Sequence, residues 1–136
     1  MTVHPNPRNL VRQMWPKVKP RAKKVKAPGK ARTLRLVGIR SGGMCERCGG
    51  RGHSTHHLRN VSQGGEWSPQ NCVRLCGSGS TLCHGWVTTH SKEAWVEGFH
   101  LEAGEEPGSR PIQSALHGVV YLTAAGGVTP IEGGAA

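Results

Sequence analysis

The sequence holds no apolar stretch longer than a few residues, which excludes a helix that crosses a membrane. Its first segment, MTVHPNPRNLVRQMWPKVKPR, has no apolar run of the kind a secretory signal needs. It also lacks the Ser-rich amphipathic pattern of a transit peptide. These absences lead to the expectation of a cytoplasmic protein with no membrane partner. Aspartate is missing altogether, and none of the eight glutamates falls within residues 1–32. Apolar residues make up 35% of the 136 positions and glycine numbers 20, so a hydrophobic core alone would be thin. A structural metal would help such a chain to fold. No internal repeat is visible.

The charge that is present is unevenly spread. Residues 1–75 carry 16 basic and 2 acidic side chains, a net of +14, whereas residues 76–136 carry 2 basic and 6 acidic, a net of −4. This asymmetry predicts a polyanionic partner met by the front half. Nucleic acid is the first expectation and an anionic membrane surface the second; a merely solubilising tail is the bland alternative. The basic block runs on into the cysteine-rich segment, which favours a nucleic-acid partner.

Pro5, Pro7, Pro16, Pro20 and Pro28 interrupt any helix near the N-terminus, and Lys17, Lys19, Arg21, Lys23, Lys24 and Lys26 repel one another. Residues 1–40 are therefore expected to form a basic, largely flexible arm, within which 33–40 fits either a strand or a short helix. Residues 41–122 are expected to be the folded domain, and 123–136 a flexible tail. Within the domain, SGGMCERCGGRG at 41–52 reads as a glycine-rich metal knuckle. Residues 55–59 and 73–76 read as strands, and 83–89 and the segment from Ser91 to Gly98 as helices. Trp95 and Phe99 would pack the second helix on the core, and VVYL at 119–122 fits a further strand.

Five cysteines in a cytoplasmic chain are not expected to form disulfides. Cys45-x2-Cys48 and Cys76-x6-Cys83 form two pairs that can complete a four-thiolate zinc site, with the short GSGSTL insert looping out of the second. Cys72 fits no pair and reads as a small buried hydrophobe. The histidines carry a second signal. A closed four-cysteine site needs none of them, so the adjacent pair His56-His57 and the distant His84 are available for a second, open metal site of the kind catalysis requires. His4, His53, His100 and His117 read as surface or satisfied core residues.

The ordered segments CERCG, THHLRNVSQGG, SPQNCVRLC and CHGWV resemble the HNH endonucleases over about residues 44–101. The resemblance implies a small, zinc-stabilised α+β domain with a ββα-metal core. It implies a metal-dependent endonuclease that hydrolyses phosphodiester bonds, with DNA the expected polymer and 5′-phosphate and 3′-hydroxyl products. His57 matches the general base and His56 a metal ligand where many relatives have Asp. Asn71 matches the middle Asn that holds the loop by hydrogen bonds, and His84 the metal ligand on the helix. A further histidine found in some relatives is Thr88 here, and His90 falls on another helix face. Two protein ligands with water and phosphate oxygens would suit magnesium or another divalent ion. Adjacent strand residues face opposite sides, so His56 and His57 can share a site only where the strand twists, bulges or ends. Arg59, Arg74 and the lysines of the arm (Lys23, Lys24, Lys26) are the expected phosphate contacts. Phage-type relatives suggest, by analogy, packaging proteins as partners and a host cytoplasm. The rival classes are a non-catalytic zinc module that binds nucleic acid or protein, and a metal enzyme acting on another substrate.

Overall fold

The computed structural model describes residues 27–131, and the arm lysines Lys23, Lys24 and Lys26 lie outside that range. The described chain is a small α+β fold. It runs through helix α1 (Lys30–Ser41), strand β1 (Ser54–His57), a 3-10 turn (Val61–Gln63), β2 (Cys72–Leu75), α2 (Leu82–Thr89), α3 (Ser91–Glu97), and then β3 (Ile112–Ser114), β4 (Gly118–Leu122) and β5 (Val128–Pro130). β1 and β2 form one antiparallel sheet, and β3-β4-β5 a second. No described helix is long and apolar enough to cross a membrane.

The packed chain extends beyond the 41–122 boundaries expected from sequence. Residues 30–41 form a helix because Thr33, Val37, Arg40 and Ser41 recur on one face and are buried there. It stops at Gly42, whose left-handed φ of 61° suits glycine. At the other end, residues 128–130 pair with β4, so part of the expected tail completes a sheet.

The knuckle after α1 turns back on itself: the Cys45 N–H donates to the Gly50 carbonyl at 2.6 Å and the Gly49 N–H to the Cys45 carbonyl at 2.8 Å. Its second residue, Glu46, is fully buried. The Glu46 carboxylate accepts from Arg40 Nε at 2.7 Å, Arg40 Nη2 at 3.0 Å and the Arg74 N–H at 2.8 Å. Arg40 also donates to the carbonyls of Pro69 and Cys72, both at 2.6 Å. One ion pair thus fastens α1, the knuckle and β2 together. Removing one partner of such a pair leaves a buried charge unmatched, which costs about 3–5 kcal/mol. Glu46→Gln should lose stability of that order in denaturant unfolding; a loss under about 1 kcal/mol would mean the pair contributes little beyond filling space.

The main core joins Leu58, Val73, Leu75, Val87, Phe99, Leu101 and Ile112 to Cys45, Cys76 and Cys83. Phe99 is fully buried as expected, whereas Trp95 is only partly buried and donates through its indole N–H to Glu105. α2 follows β2 through a turn, and Gly85 within α2 lies so close to Ser80 of that turn that a Cβ would clash with its backbone. α3 ends at Gly98 with φ 87°, and the chain then runs back beside β1, where the Leu101 N–H donates to the Leu58 carbonyl at 2.8 Å.

Candidate metal centre and histidine pocket

The four sulfurs of Cys45, Cys48, Cys76 and Cys83 lie within 4.8 Å of one another, a set that could hold a metal ion such as zinc. The knuckle delivers the first pair; the end of β2 and the first turn of α2 deliver the second. Burial pushes the Cys45 thiol up, but the backbone groups of Cys48, Cys76 and Arg47 that hydrogen-bond its sulfur outweigh that and bring it down to about 7. Burial pushes Cys83 up to about 12, against the pull of Arg47. Four crowded sulfurs cannot all be anionic without a cation between them, so the cluster suits a dication that displaces the thiol protons. Arg47 binds it from outside: Nη1 donates to Cys83 Sγ at 3.4 Å, Nε to Glu97 at 3.1 Å, and the guanidinium stacks on Trp86 at 3.8 Å. Cys72 stands apart, fully buried, its thiol pushed up to about 11 by burial.

A pocket of about 250 Å³ lies at β1 and α2, with His56, His57, His84, His100, Thr55 and Thr88 among its lining. Both members of the histidine pair line it because it lies where β1 ends. The pairing stops at His57↔Cys72, without a bulge, and the wall continues into Asn60 and Val61.

The hydrogen bonds around two of these rings set their tautomers. His56 is buried and its Nε2 lies 2.8 Å from the Phe99 carbonyl, which can only accept, so Nε2 carries the proton and Nδ1 the lone pair. The Ser54 hydroxyl donates to the Gly77 carbonyl at 2.7 Å and so accepts from His84 Nδ1 at 2.6 Å. That leaves the lone pair of His84 on Nε2. The two rings meet edge to face with centroids 5.3 Å apart. Orientation by a carbonyl and a hydroxyl is the outer-shell arrangement that prepares imidazoles as metal ligands. Each of these two rings keeps one ring nitrogen free of hydrogen bonds, while among the described residues the one group of three or more side chains whose ligand atoms converge is the four cysteines. Ser54 gave no signal in the sequence, since its role depends on a carbonyl brought across from the turn after β2.

Burial holds His56 down at about 4, helped by repulsion from His84, His100 and His57 and opposed by the Phe99 carbonyl. The unfolded ring, near 6.5, accepts a proton that the folded ring refuses. The stability tied to neutral His56 is thus complete above pH 6.5 and is lost as pH falls towards 4. That window is worth about 3 kcal/mol. His56→Gln should show a shallower fall of melting temperature with acid than the parent. Equal slopes would show that another group carries the acid response.

His57 packs edge-on against Trp67, with ring centroids 4.4 Å apart, and the Lys30 ammonium lies 5.3 Å from the Trp67 ring. Desolvation lowers its pKa, which favours the neutral ring. Its Nε2 is buried without a partner, and no described residue hydrogen-bonds Nδ1. Asn71, fully buried, accepts the Arg59 N–H at 2.9 Å and donates to the carbonyls of Arg59 at 3.2 Å and Glu66 at 3.0 Å. It ties off the loop between β1 and β2, the part assigned to it from the sequence.

The other expected contacts are already engaged. Arg59 donates to the Gln63 carbonyl and lies 3.8 Å from Glu106, and the Arg74 stem passes over Gly52 with Nη2 on the Gly52 carbonyl. Among the described residues, exposed basic side chains are instead Lys30, Arg32, Arg35, Arg51 and Lys92. His90 stacks on Trp86, outside the pocket lining. His53 and His117 are satisfied, by the Gly77 N–H and the Arg40 carbonyl. His100, read from sequence as one of this satisfied or surface set, lines the pocket, and no spacing signal could have placed it there.

Comparison of the chain with protein-family models, with curated proteins and with solved structures finds no match.

Proposed function

We propose that this protein is a metal-dependent endonuclease of the HNH type, stabilised by zinc on its four cysteines. The observation that carries the reading is the convergence of His56 and His57 from β1 with His84 from α2 on one pocket, next to a cysteine cluster that has no need of them. A two-stranded hairpin leading into a helix is also the order that the ββα-metal resemblance implies. A purely structural zinc module would account for the cysteines but not for two neutral, lone-pair-bearing imidazoles oriented by Phe99 and Ser54.

Neutral His57 takes a proton from water through Nδ1, and the oxygen attacks the phosphorus of a phosphodiester in line. A divalent ion on His56 and His84 would neutralise the charge that develops on the phosphate and on the leaving 3′-oxygen. Asn71 fixes the loop that follows His57 and so holds the base in place. Lys30, beside Trp67, and the exposed Arg32 and Arg35 on α1 offer cations for the flanking phosphates, with DNA the expected polymer. Binding through such contacts should weaken steeply with salt. Residues that read base edges are not evident, so cutting should show little sequence preference.

The test is nicking of supercoiled plasmid by zinc-loaded protein with added divalent ions. Conversion to open circles that chelator stops and added ions restore is the expected result. No cleavage of DNA or RNA with magnesium, manganese, cobalt or nickel would reject the reading.

A further inference from the structure

We infer that Trp67 is the positioning residue of the base: the face of its indole receives the Nε2–H of His57, which fixes the tautomer and leaves the lone pair on Nδ1. The inference rests on the nuclease reading of His57 and deepens it.

A carbonyl orients His56 and a hydroxyl orients His84, but among the described residues no hydrogen bond engages either nitrogen of His57. Its Nε2 is nonetheless buried, although the side chain as a whole is only half-buried. The ring stands at 81° to that of Trp67, with centroids 4.4 Å apart. Such a pair sets the edge of one ring on the face of the other. An aromatic face is electron-rich, so it attracts an N–H and repels a lone pair. A buried ring nitrogen with no partner is costly in either state, and the indole face relieves that cost only for the protonated one. The proton therefore belongs on Nε2, and Nδ1 is free to take one from water. The indole does for His57 what the Phe99 carbonyl does for His56.

The chain holds the indole in that place. Asn71 Nδ2 donates to the carbonyl of Arg59, two residues after His57, at 3.2 Å, and to that of Glu66, immediately before Trp67, at 3.0 Å. One buried amide thus ties together the segments that carry both rings. Beyond Trp67, Ser68 and Pro69 are buried, and the Pro69 carbonyl accepts from Arg40. From α1, the Lys30 ammonium lies 5.3 Å from the indole centroid. Trp67 is not among the residues that line the pocket, so it acts on the reaction through His57 and not on the substrate.

The experiment is NMR of the histidine ring nitrogens and their protons on the full, zinc-loaded chain, at a pH where the rings are neutral, together with plasmid nicking. In the parent, His57 is expected in the Nε2–H form, with that proton shifted upfield by the indole ring current and slow to exchange with water. Trp67→Phe, which keeps an aromatic face, should retain both the shift and the tautomer. Trp67→Leu should lose the shift and admit the Nδ1–H form. It should also lower kcat for nicking by about three- to tenfold, the worth of an edge-to-face pair, with KM unchanged. Unchanged His56 and His84 resonances would show that the fold survives; if the leucine variant does not fold, the parent and the phenylalanine variant still decide. A parent His57 protonated on Nδ1, or an Nε2 proton without a ring-current shift, overturns the inference. So does a leucine variant that keeps the parent's shift and nicking rate. The expected spectra in a protein that cleaves no nucleic acid would reject the nuclease reading, and the catalytic use of the contact with it, while the contact itself stands.

Discussion

Replacing His57 with alanine should lower cleavage by about two to four orders of magnitude, the usual worth of a general base, while zinc content and stability stay near those of the parent. The expectation follows from where the side chain sits. His57 is the last residue of β1, only half-buried, and no described residue hydrogen-bonds either of its ring nitrogens. Its removal therefore orphans no hydrogen-bond partner and takes away only the packing against Trp67. His56→Ala differs in kind, because it also strands the buried Phe99 carbonyl. Matched assays of the two variants, with melting curves, separate loss of chemistry from loss of fold. A His57→Ala protein that nicks plasmid as fast as the parent at the same metal and salt places the base elsewhere.

Cys48→Ser should lose the tightly held zinc and with it cooperative folding. Cys48 is the one exposed member of the cluster, so the substitution removes almost no packing and its effect reports on the metal. Structural zinc in small domains contributes about 10–16 kcal/mol of apparent binding free energy, as large as the net stability of a whole domain, about 5–15 kcal/mol. Loss of one ligand also leaves the buried Cys45, Cys76 and Cys83 sulfurs crowded around an incomplete site. Elemental analysis of protein purified without added zinc should find one zinc per parent chain and much less in the variant, with a broadened or absent thermal transition. A variant that stays folded and melts near the parent would show that the cysteines are ordinary core residues.

The cysteine cluster was legible because paired thiols one turn apart carry their meaning locally: a short loop suffices to aim both at one ion. The strands around 55–59 and 73–76, both later helices and the strand at 119–122 were legible from residue pattern and from Gly98, and all appear within a residue or two of their expected places. Helix α1 was not resolved from a strand. Its apolar face is short, and half of what it buries is Thr33 and Arg40, residues that read as exposed until the carboxylate of Glu46 is seen opposite. Arg59 and Arg74, which donate to the Gln63 and Gly52 carbonyls, show the same limit, since a basic residue looks alike in sequence whether it faces solvent or a carbonyl.

By itself the sequence determined the four sulfurs, the histidine pair with His84, the Asn71 anchor and the basic front half. Each of these is a matter of residue type and short-range spacing, which the backbone converts directly into proximity. Tertiary structure alone decided that Glu46 is buried against Arg40, that Ser54 and the Phe99 carbonyl set the lone pairs of His84 and His56, and that His100 enters their pocket. Those relations join segments distant in the chain. They exist only because the turn at Gly98 lays residues 99–101 beside β1, and no periodicity in the sequence encodes where a chain returns after such a turn.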